Sequence, residues 1–248
     1  MPAPAMPTST MLHGLPETRI ADTDWQDVED DLGRDGYAVL PGLLTQAQCE
    51  ELATGYGDET RFRSRIVMER YAFGRGEYKY FSYPLPDIVA SLRQSLYPRL
   101  APIANRWHAA MRLEARFPGT HEEFRSICHA AGQRRPTPLL LRYQAGDYCC
   151  LHQDLYGDHV FPFQAIFLLN EPGRDFEGGE LLLAESNPKQ PGRADVVPLR
   201  QGDAVVLAVN HRPVRSARGY YRANLRHGVG RLRNGERHTL GIIFHDAR

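Results

Sequence analysis

The sequence has few cysteines and no excess of either charge, and both features narrow the classes of protein that it can encode. Its four cysteines include an adjacent pair and form no CxxC spacing. This pattern argues against a zinc clip and against the disulfide framework of a small secreted domain. A cytoplasmic location is therefore expected. Lysine plus arginine and aspartate plus glutamate both total 30, so the net charge indicates no partner.

Long apolar segments are also missing. No run approaches the roughly 18–20 apolar residues that a helix needs to cross a bilayer, so we expect no membrane span. The proline-rich start lacks the basic segment and the apolar stretch of a signal peptide. We predict a flexible tail over residues 1–20 and a single domain over residues 21–248.

Helix signals dominate the first half of the domain. Asp24 is placed to cap a short helix that ends before Gly36, and Thr45 with Gln48 forms a capping-box pattern for a second helix. Residues 86–117 carry apolar side chains at steps of three and four, which predicts a longer helix bent or split by a proline. Its apolar positions are Ile88, Leu92, Leu96, Leu100, Ile103 and Trp107.

From residue 138 onward the pattern changes to short strands separated by Gly, Asn, Asp and Pro. The strand-like segments are LLLRYQ, VFPFQAIFLLN, GELLLA, ADVVPL, DAVVLAV and HTLGIIF. Their spacing predicts a closed or double-sheet antiparallel structure such as a jelly roll. The predicted fold class is mainly β with flanking helices (α+β), with helical support over residues 21–137 and a jelly-roll core over residues 138–248.

A candidate metal site begins at His152 and Asp154, since positions i and i+2 of an extended chain point to the same side. One further histidine would complete a two-histidine, one-carboxylate set, which leaves open positions on iron for a co-substrate and oxygen. His227, within a strand-like segment, is the best candidate. The rivals for the third position are His159, His211, His238 and His245. His121 and Glu123 repeat the spacing, but they lie in a helix-like stretch where such positions diverge.

Arg237 follows His227 on what should be the next strand, with Thr239 on the same face. A buried guanidinium there would bind a carboxylate through two parallel hydrogen bonds, and the threonine hydroxyl would add a third. The alternative is a solvated arginine at the end of a strand.

Several motifs, taken in order, resemble those of the iron(II)- and 2-oxoglutarate-dependent dioxygenases, particularly the prolyl-hydroxylase-like branch. The motifs are Tyr143, Gly146, His152-Gln153-Asp154, residues 176–181, Gly202-Asp203, His227-Gly228-Val229 and Arg237-His238-Thr239. The resemblance covers residues 138–246 and implies a double-stranded β-helix with helices packed outside. It also implies that His152, Asp154 and His227 hold Fe(II), that Arg237 binds the distal carboxylate of 2-oxoglutarate, and that Thr239 and Tyr143 assist.

The segment 211–237 suggests a substrate class. It contains eight arginines against a single acid, with Tyr220 and Tyr221 between them. Cations combined with stacking surfaces are what single-stranded nucleic acid requires, so we hypothesise that this segment presents an alkylated nucleic acid to the iron. The alternative for the arginines is an ordinary solvated face.

Other functions stay open on the sequence alone. The arginine-rich RxNxTxR pattern of nucleic-acid demethylases is not reproduced, although Asn234, Arg237 and Thr239 are present with different spacing. Hydroxylation of a protein side chain of the prolyl type, or of a small metabolite, is the main enzymatic rival. A jelly-roll module that binds iron or 2-oxoglutarate as a sensor without turnover is the non-enzymatic rival. O2 and 2-oxoglutarate are the partners that an oxygenase of this kind requires.

Overall fold

In a computed structural model, residues 16–187, 190–217 and 219–248 are described. The helices are α1 (Pro16–Asp22), α2 (Trp25–Asp35), α3 (Gln46–Thr54), α4 (Asp87–Ala110) and α5 (His121–Ala130). The strands are β1 (Tyr37–Leu40), β2 (Phe62–Val67), β3 (Gly74–Arg75), β4 (Glu77–Phe81), β5 (Leu139–Gln144), β6 (Tyr148–His152), β7 (Phe163–Leu168), β8 (Phe176–Gly178), β9 (Leu181–Asn187), β10 (Gln190–Val197), β11 (Ala204–Ala208), β12 (His211–Ser216), β13 (Gly219–Val229) and β14 (Leu232–Ile243).

The strands form two antiparallel sheets. The larger has eight strands in the order β1-β11-β7-β14-β5-β4-β2, with β8 paired to β14. The smaller has six strands in the order β10-β9-β13-β6-β3, with β12 paired to β13. A cavity lies between the sheets and is lined by side chains of both. This arrangement confirms the predicted fold class, a mainly β structure with flanking helices whose core is a double-stranded β-helix.

The predicted helix signals correspond to real caps. The side chain of Asp24 accepts hydrogen bonds from the first-turn N–H groups of α2, and Gly36 ends that helix with φ of 82°. Thr45 and Gln48 form both hydrogen bonds of a capping box at the start of α3. Local sequence therefore sets where these helices begin.

Helix α4 is continuous through Pro98 and Pro102 rather than split, and it ends at Ala110, earlier than predicted. Its apolar face is buried on both sides of the prolines, so packing compensates for the missing N–H groups. The buried positions include Leu92, Leu96, Leu100, Ile103 and Trp107. Arg112, with φ of 57°, takes the chain out of the helix.

The region before residue 138, predicted as helical support, also contributes strands β2, β3 and β4 to the two sheets. Strands β2 and β4 extend the larger sheet beyond β5, and β3 joins the smaller sheet. Charged residues obscure this pattern in the sequence, because Glu77 and Lys79 are buried. Glu77 pairs with Arg65 and Arg142, and the Nζ atom of Lys79 lies 2.6 Å from a carboxylate oxygen of Glu59.

The structure also differs from the predicted tail. Residues 16–20 belong to helix α1, whereas residues 1–15 lie outside the described part of the chain. Ile20 is 1% exposed, and its carbonyl accepts a hydrogen bond from the Trp25 indole at 2.9 Å. Burial of this side chain explains why the helix begins within the predicted tail.

A buried ion pair joins α4 to the end of the chain. Arg93 Nη2 lies 2.8 Å from Asp246 Oδ1, and the two side chains are 1% and 0% exposed. The other carboxylate oxygen of Asp246 accepts a hydrogen bond from the Tyr83 hydroxyl at 2.9 Å and contacts His129 Nε2 at 2.7 Å. Burial acts to raise the pKa of Asp246, but Arg93 and the other contacts outweigh it and hold the pKa below its ordinary value.

Among the residues that the structure describes, no helix combines the length and the apolar character needed to cross a membrane.

Candidate metal centre and co-substrate pocket

The three predicted metal ligands come together between the two sheets. His152 ends β6, and His227 on the neighbouring strand β13 is its direct register partner. Asp154 lies two residues beyond the end of β6. The ligand atoms of these three side chains all lie within 4.8 Å of one another, which is the spacing of a group that can share one metal ion.

The carboxylate of Asp154 lies between the two imidazoles. Its Oδ2 atom is 3.3 Å from His227 Nε2, and its Oδ1 atom is 3.5 Å from His152 Nε2. Both imidazoles therefore present the same nitrogen, Nε2, toward the carboxylate. This shared orientation is what binding of one ion by all three groups requires.

The electrostatics of the two histidines differ. Burial acts to lower the pKa of His152, but hydrogen bonds with Asp154 and Cys149 outweigh it and raise the pKa to about 11. Burial lowers the pKa of His227, and the charge of His152 lowers it further. Burial acts to raise the pKa of Asp154, but the two imidazoles hold it well below its usual range. The carboxylate is thus held in its charged form, which is the form that binds a metal ion.

Neighbouring groups fix the ligand side chains. His152 Nδ1 lies 2.9 Å from the Cys150 carbonyl, so an N–H at that position donates to the carbonyl and leaves Nε2 for a metal. Gln153, between the two ligands, donates from its side-chain amide to the Leu225 carbonyl at 2.7 Å and to Asn210 Oδ1 at 2.9 Å. These bonds tie the segment carrying His152 and Asp154 to the strand that carries His227.

Sequence reasoning missed two side chains of this site. The Tyr156 hydroxyl donates to Asp154 Oδ1 at 2.9 Å. Gln164 is 3% exposed, and its side-chain nitrogen lies 3.1 Å from His227 Nε2. A polar residue inside the otherwise apolar strand β7 was the available signal for Gln164. Tyr156 lies in a loop, where side-chain direction follows no periodicity.

Arg237 lies on the floor of the same cavity. It is 2% exposed, and its Nε and Nη1 atoms have no hydrogen-bond partner among the residues that the structure describes. Tyr143 is its register partner on β5, and the guanidinium carbon lies 5.7 Å from that ring and 5.9 Å from the ring of Phe176. Burial lowers the pKa of Arg237, although arginine remains charged in proteins. A buried cation without a partner is costly, so this geometry calls for an anionic ligand.

Thr239 shares the inner face with Arg237, as the predicted alternation requires. It is 2% exposed and lines the cavity together with Arg237, Tyr143 and the three candidate metal ligands. The cavity has a volume of about 380 Å³, a size typical of small-molecule sites. The structure therefore gathers all six predicted site residues around one cavity.

The rival histidines lie elsewhere. His238 precedes Thr239 on β14 and so points to the opposite face, and His245 is buried beside Phe161, whose backbone N–H donates to its Nδ1 atom. Neither joins the group of ligand atoms formed around Asp154, and His159 and His211 do not join it either. His121 opens helix α5, as the helix-like pattern around it predicted.

The arginine-rich segment does not surround the site as predicted. Arg222 and Arg226 are separated from His227 by odd numbers of residues along β13, so they point away from the cavity. Arg212 is 6% exposed, and its Nε atom lies 2.5 Å from Glu185 Oε2, which makes it a structural ion pair. Proximity to His227 in sequence is therefore not proximity to the metal site.

The remaining arginines of the segment have varied surroundings. Arg231 donates to the Gly146 carbonyl at 3.1 Å, and Arg233 lies 4.0 Å from a carboxylate oxygen of Glu180. Arg215 is exposed, and Arg218 lies outside the described residues. These placements support the solvated-face alternative for much of the segment.

Comparison with known proteins identifies the family. Residues 76–247 match a family described as an oxygenase catalysing oxidative methylation of damaged DNA. The match spans more than half of the chain, so the chain belongs to this oxygenase family. Two uncharacterised proteins of Mycobacterium tuberculosis, one from each of two strains, are 44% identical over 167 residues. That alignment covers 67% of this chain and 72% of each relative.

Solved structures share the fold at low identity. A Pseudomonas putida prolyl-4-hydroxylase aligns over 91% of this chain and 100% of its own, with 15% identity and a TM-score of 0.53. A Trichoplax adhaerens prolyl hydroxylase, solved with a peptide of hypoxia inducible factor, covers 97% and 94% at 12% identity and a TM-score of 0.54. A Burkholderia pseudomallei oxidoreductase of the 2OG-Fe(II) oxygenase family covers 91% and 94% at 14% identity and a TM-score of 0.51.

The resemblance stated from the sequence is thereby confirmed. The protein is a 2-oxoglutarate-dependent Fe(II) oxygenase, with Fe(II) as its cofactor and 2-oxoglutarate and O2 as its co-substrates. This assignment sets aside the alternative of a sensor without turnover.

Proposed function

We propose that His152, Asp154 and His227 hold the Fe(II) ion, and that Arg237 binds the distal carboxylate of 2-oxoglutarate with help from Thr239 and Tyr143. One observation carries this proposal. A buried guanidinium, with two nitrogen atoms that have no hydrogen-bond partner among the described residues, lines the same cavity as three ligand atoms that lie within 4.8 Å of one another. Two imidazoles and one carboxylate are a donor set that suits Fe(II), and the unpaired N–H groups suit a carboxylate.

The side chains of this chain bind, orient and exclude water. The Fe(II) ion and 2-oxoglutarate supply the oxidising chemistry when bound. The carbonyl of Cys150 and the amide of Gln153 hold the ligand segment in place, as their hydrogen bonds show. Arg237 is itself buried, with the buried ring of Phe176 5.9 Å from its guanidinium carbon, so its attraction for a carboxylate acts with little screening by water.

We further propose that the substrate is an alkylated base in nucleic acid. Membership in a family described for damaged DNA supports this substrate class. The cavity itself also favours an aromatic group, because the part contributed by β4, β5 and the residues before β3 is apolar and aromatic. The side chains there are Met68, Phe73, Tyr78, Leu139 and Leu141, and Tyr156 adds a ring from the loop after β6. Flat rings of this kind stack with nucleobases regardless of base sequence.

The proposed reaction inserts one oxygen atom of O2 into a C–H bond of an N-methyl group. The other oxygen atom enters succinate as 2-oxoglutarate loses carbon dioxide. The resulting N–CH2–OH group breaks at its C–N bond and releases formaldehyde, and the nitrogen regains a proton. Methylated base, O2 and 2-oxoglutarate thus yield the unmethylated base, formaldehyde, succinate and carbon dioxide.

The test is a substrate panel measured by two products. Purified enzyme with Fe(II) and 2-oxoglutarate is given N-methylated single-stranded oligonucleotides, unmethylated oligonucleotides, proline-containing peptides or free amino acids. Formaldehyde and succinate in equal amounts, from methylated oligonucleotides alone, are expected. Succinate stimulated by peptides or amino acids instead, without formaldehyde, would replace the nucleic-acid assignment with the protein or metabolite alternative.

Variants separate the residue roles from the substrate assignment. His227→Ala should abolish turnover and metal binding together, because it removes one of three ligands. His211→Ala removes a histidine from the neighbouring strand β12 that lies away from the ligand group, and it should retain both properties. Full turnover in His227→Ala would exclude its role as a ligand, whatever the substrate.

A further inference from the structure

The inner face of the larger sheet continues past the metal cavity toward the edge of the sheet. Tyr78 on β4 pairs with Leu141 on β5, and Ile66 on β2 pairs with Tyr78. Tyr80 follows Tyr78 on the same face, and these side chains pack together with Tyr156 in a hydrophobic cluster separate from the main core. An apolar and aromatic surface therefore runs from the cavity to strand β2.

A β-bulge places an arginine at the outer end of this surface. The register between β2 and β4 shifts between Phe62 and Ser64, which leaves Arg63 opposite no partner residue. The guanidinium carbon of Arg63 lies 4.4 Å from the centre of the Tyr80 ring. Its Nε atom donates to the Pro136 carbonyl at 2.9 Å, which fixes the direction of the side chain. The bulge thus turns Arg63 onto the aromatic face.

Arg63 has no anionic partner in the described part of the chain. No carboxylate oxygen there lies within 4.0 Å of its guanidinium, whereas Arg65, on the same strand, pairs with Glu77. Asp246 lies near enough to affect it, but that carboxylate is already held by Arg93. Arg135 directly precedes Pro136, whose carbonyl Arg63 binds, and it likewise lacks an ion-pair partner among the described residues. Two cations on adjoining segments, neither of them paired with a carboxylate of the described residues, form a site for an external anion.

A continuous set of contacts joins this cationic pair to the metal site. Arg63 covers the ring of Tyr80, and the Tyr80 hydroxyl lies 3.2 Å from the Tyr156 hydroxyl. The Tyr156 hydroxyl in turn donates to Asp154 at 2.9 Å. A ligand that combines an anionic group with an aromatic ring can therefore contact the cations at one end and the metal cavity at the other.

We propose that Arg63 and Arg135 bind the phosphate backbone of a single nucleic-acid strand whose base enters the cavity past Tyr80 and Tyr156. This inference rests on the proposed function and moves its phosphate contacts away from the segment 211–237. Backbone cations together with aromatic stacking surfaces are the recognition chemistry of single-stranded nucleic acid.

The test compares Arg63→Gln with Arg226→Gln. Arg226 is an exposed arginine next to His227 that faces away from the cavity, so it represents the surface expected from sequence alone. Fluorescence anisotropy measures binding of an N-methylated single-stranded oligonucleotide at several salt concentrations. Each lost phosphate contact reduces the slope of log affinity against log salt by about 0.7. Arg63→Gln should show this reduction with weaker binding at low salt, whereas Arg226→Gln should match the wild type.

The outcomes distinguish this inference from the proposed function. Binding and turnover by the wild type, with an unchanged slope in Arg63→Gln, would overturn the phosphate assignment and leave the substrate class intact. A wild-type enzyme that neither binds nor demethylates the oligonucleotide would refute both. Co(II) and 2-oxoglutarate binding should be unchanged in Arg63→Gln, and loss of either would show that the variant disturbs the fold. In that case Arg135→Gln, at an exposed side chain, provides the same salt-slope comparison.

Discussion

The hydrogen bond from Tyr156 to Asp154 makes a sharp prediction for metal binding. Tyr156→Phe removes the hydroxyl that donates to Asp154 Oδ1 at 2.9 Å and leaves the ring in place. The Asp154 side chain is 13% exposed, so water only partly replaces the lost bond. A hydrogen bond to a charged group contributes about 1.5–3 kcal/mol. Outer groups of this kind typically change metal affinity by about 10–100-fold, and we expect a loss in that range.

A matched control comes from the same chain. The Tyr83 hydroxyl donates to the buried carboxylate of Asp246, also at 2.9 Å, and Asp246 is not one of the proposed metal ligands. Tyr83→Phe should therefore lower the free energy of unfolding and leave metal affinity unchanged. Anaerobic calorimetric titration with Co(II), which does not turn over, measures affinity for both variants. Equal Co(II) affinity in Tyr156→Phe and the wild type would refute the positioning role of Tyr156.

Three further predictions address the co-substrate pocket, acid stability and one turn. Arg237→Gln should raise the KM for 2-oxoglutarate by about 10–100-fold, because a charged hydrogen-bonding pair is lost, while Co(II) affinity stays near the wild-type value. Succinate kinetics measure the KM, and calorimetric titration measures the Co(II) affinity. An unchanged KM would exclude the assigned contact. Because Arg93 helps to hold the folded-state pKa of Asp246 below its unfolded value, that carboxylate stabilises the fold above the unfolded pKa, and this contribution is lost as pH falls through the folded pKa. Urea unfolding from neutral to acidic pH should show a smaller acid-induced loss of stability in Asp246→Asn, although that variant is less stable at neutral pH; an equal loss would contradict this account. Gly235→Ala should lower the free energy of unfolding more than Gly173→Ala does. Both glycines have φ near 80°, but a Cβ atom at position 235 would lie 2.0 Å from a backbone oxygen, whereas the space around position 173 is open. Equal free energies of unfolding for the two variants would refute this prediction.

The three candidate ligands could be predicted from the sequence because the spacing of residues along each strand and the pairing of the strands both bring these side chains to the same place. His152 and Asp154 are two positions apart at the end of a strand, and His227 lies on a strand whose alternation points it inward. The same alternation places Arg237 and Thr239 on one inner face of β14. Periodicity of two is a strong guide when the buried face is mostly apolar.

Other features of the site depend on information that periodicity does not carry. The many arginines of residues 211–237 suggested a binding surface there, but the alternation of side chains along β13 points Arg226 away from the cavity. Strand β4 was hidden because buried Glu77 and Lys79 interrupt its apolar pattern. The direction of Arg63 depends on a register shift between strands distant from the ligands in sequence. Pairing partners and bulges are three-dimensional facts, so composition cannot predict them.

The direct pairing of His152 with His227 links the chemistry of the site to the mechanics of its sheet. An ion held by both imidazoles would fix the register of β6 against β13, because slippage by one residue would turn one imidazole to the opposite side of the sheet. Loading with Co(II) should therefore slow amide hydrogen exchange in these two strands more than in β1 and β11, at the far edge of the other sheet.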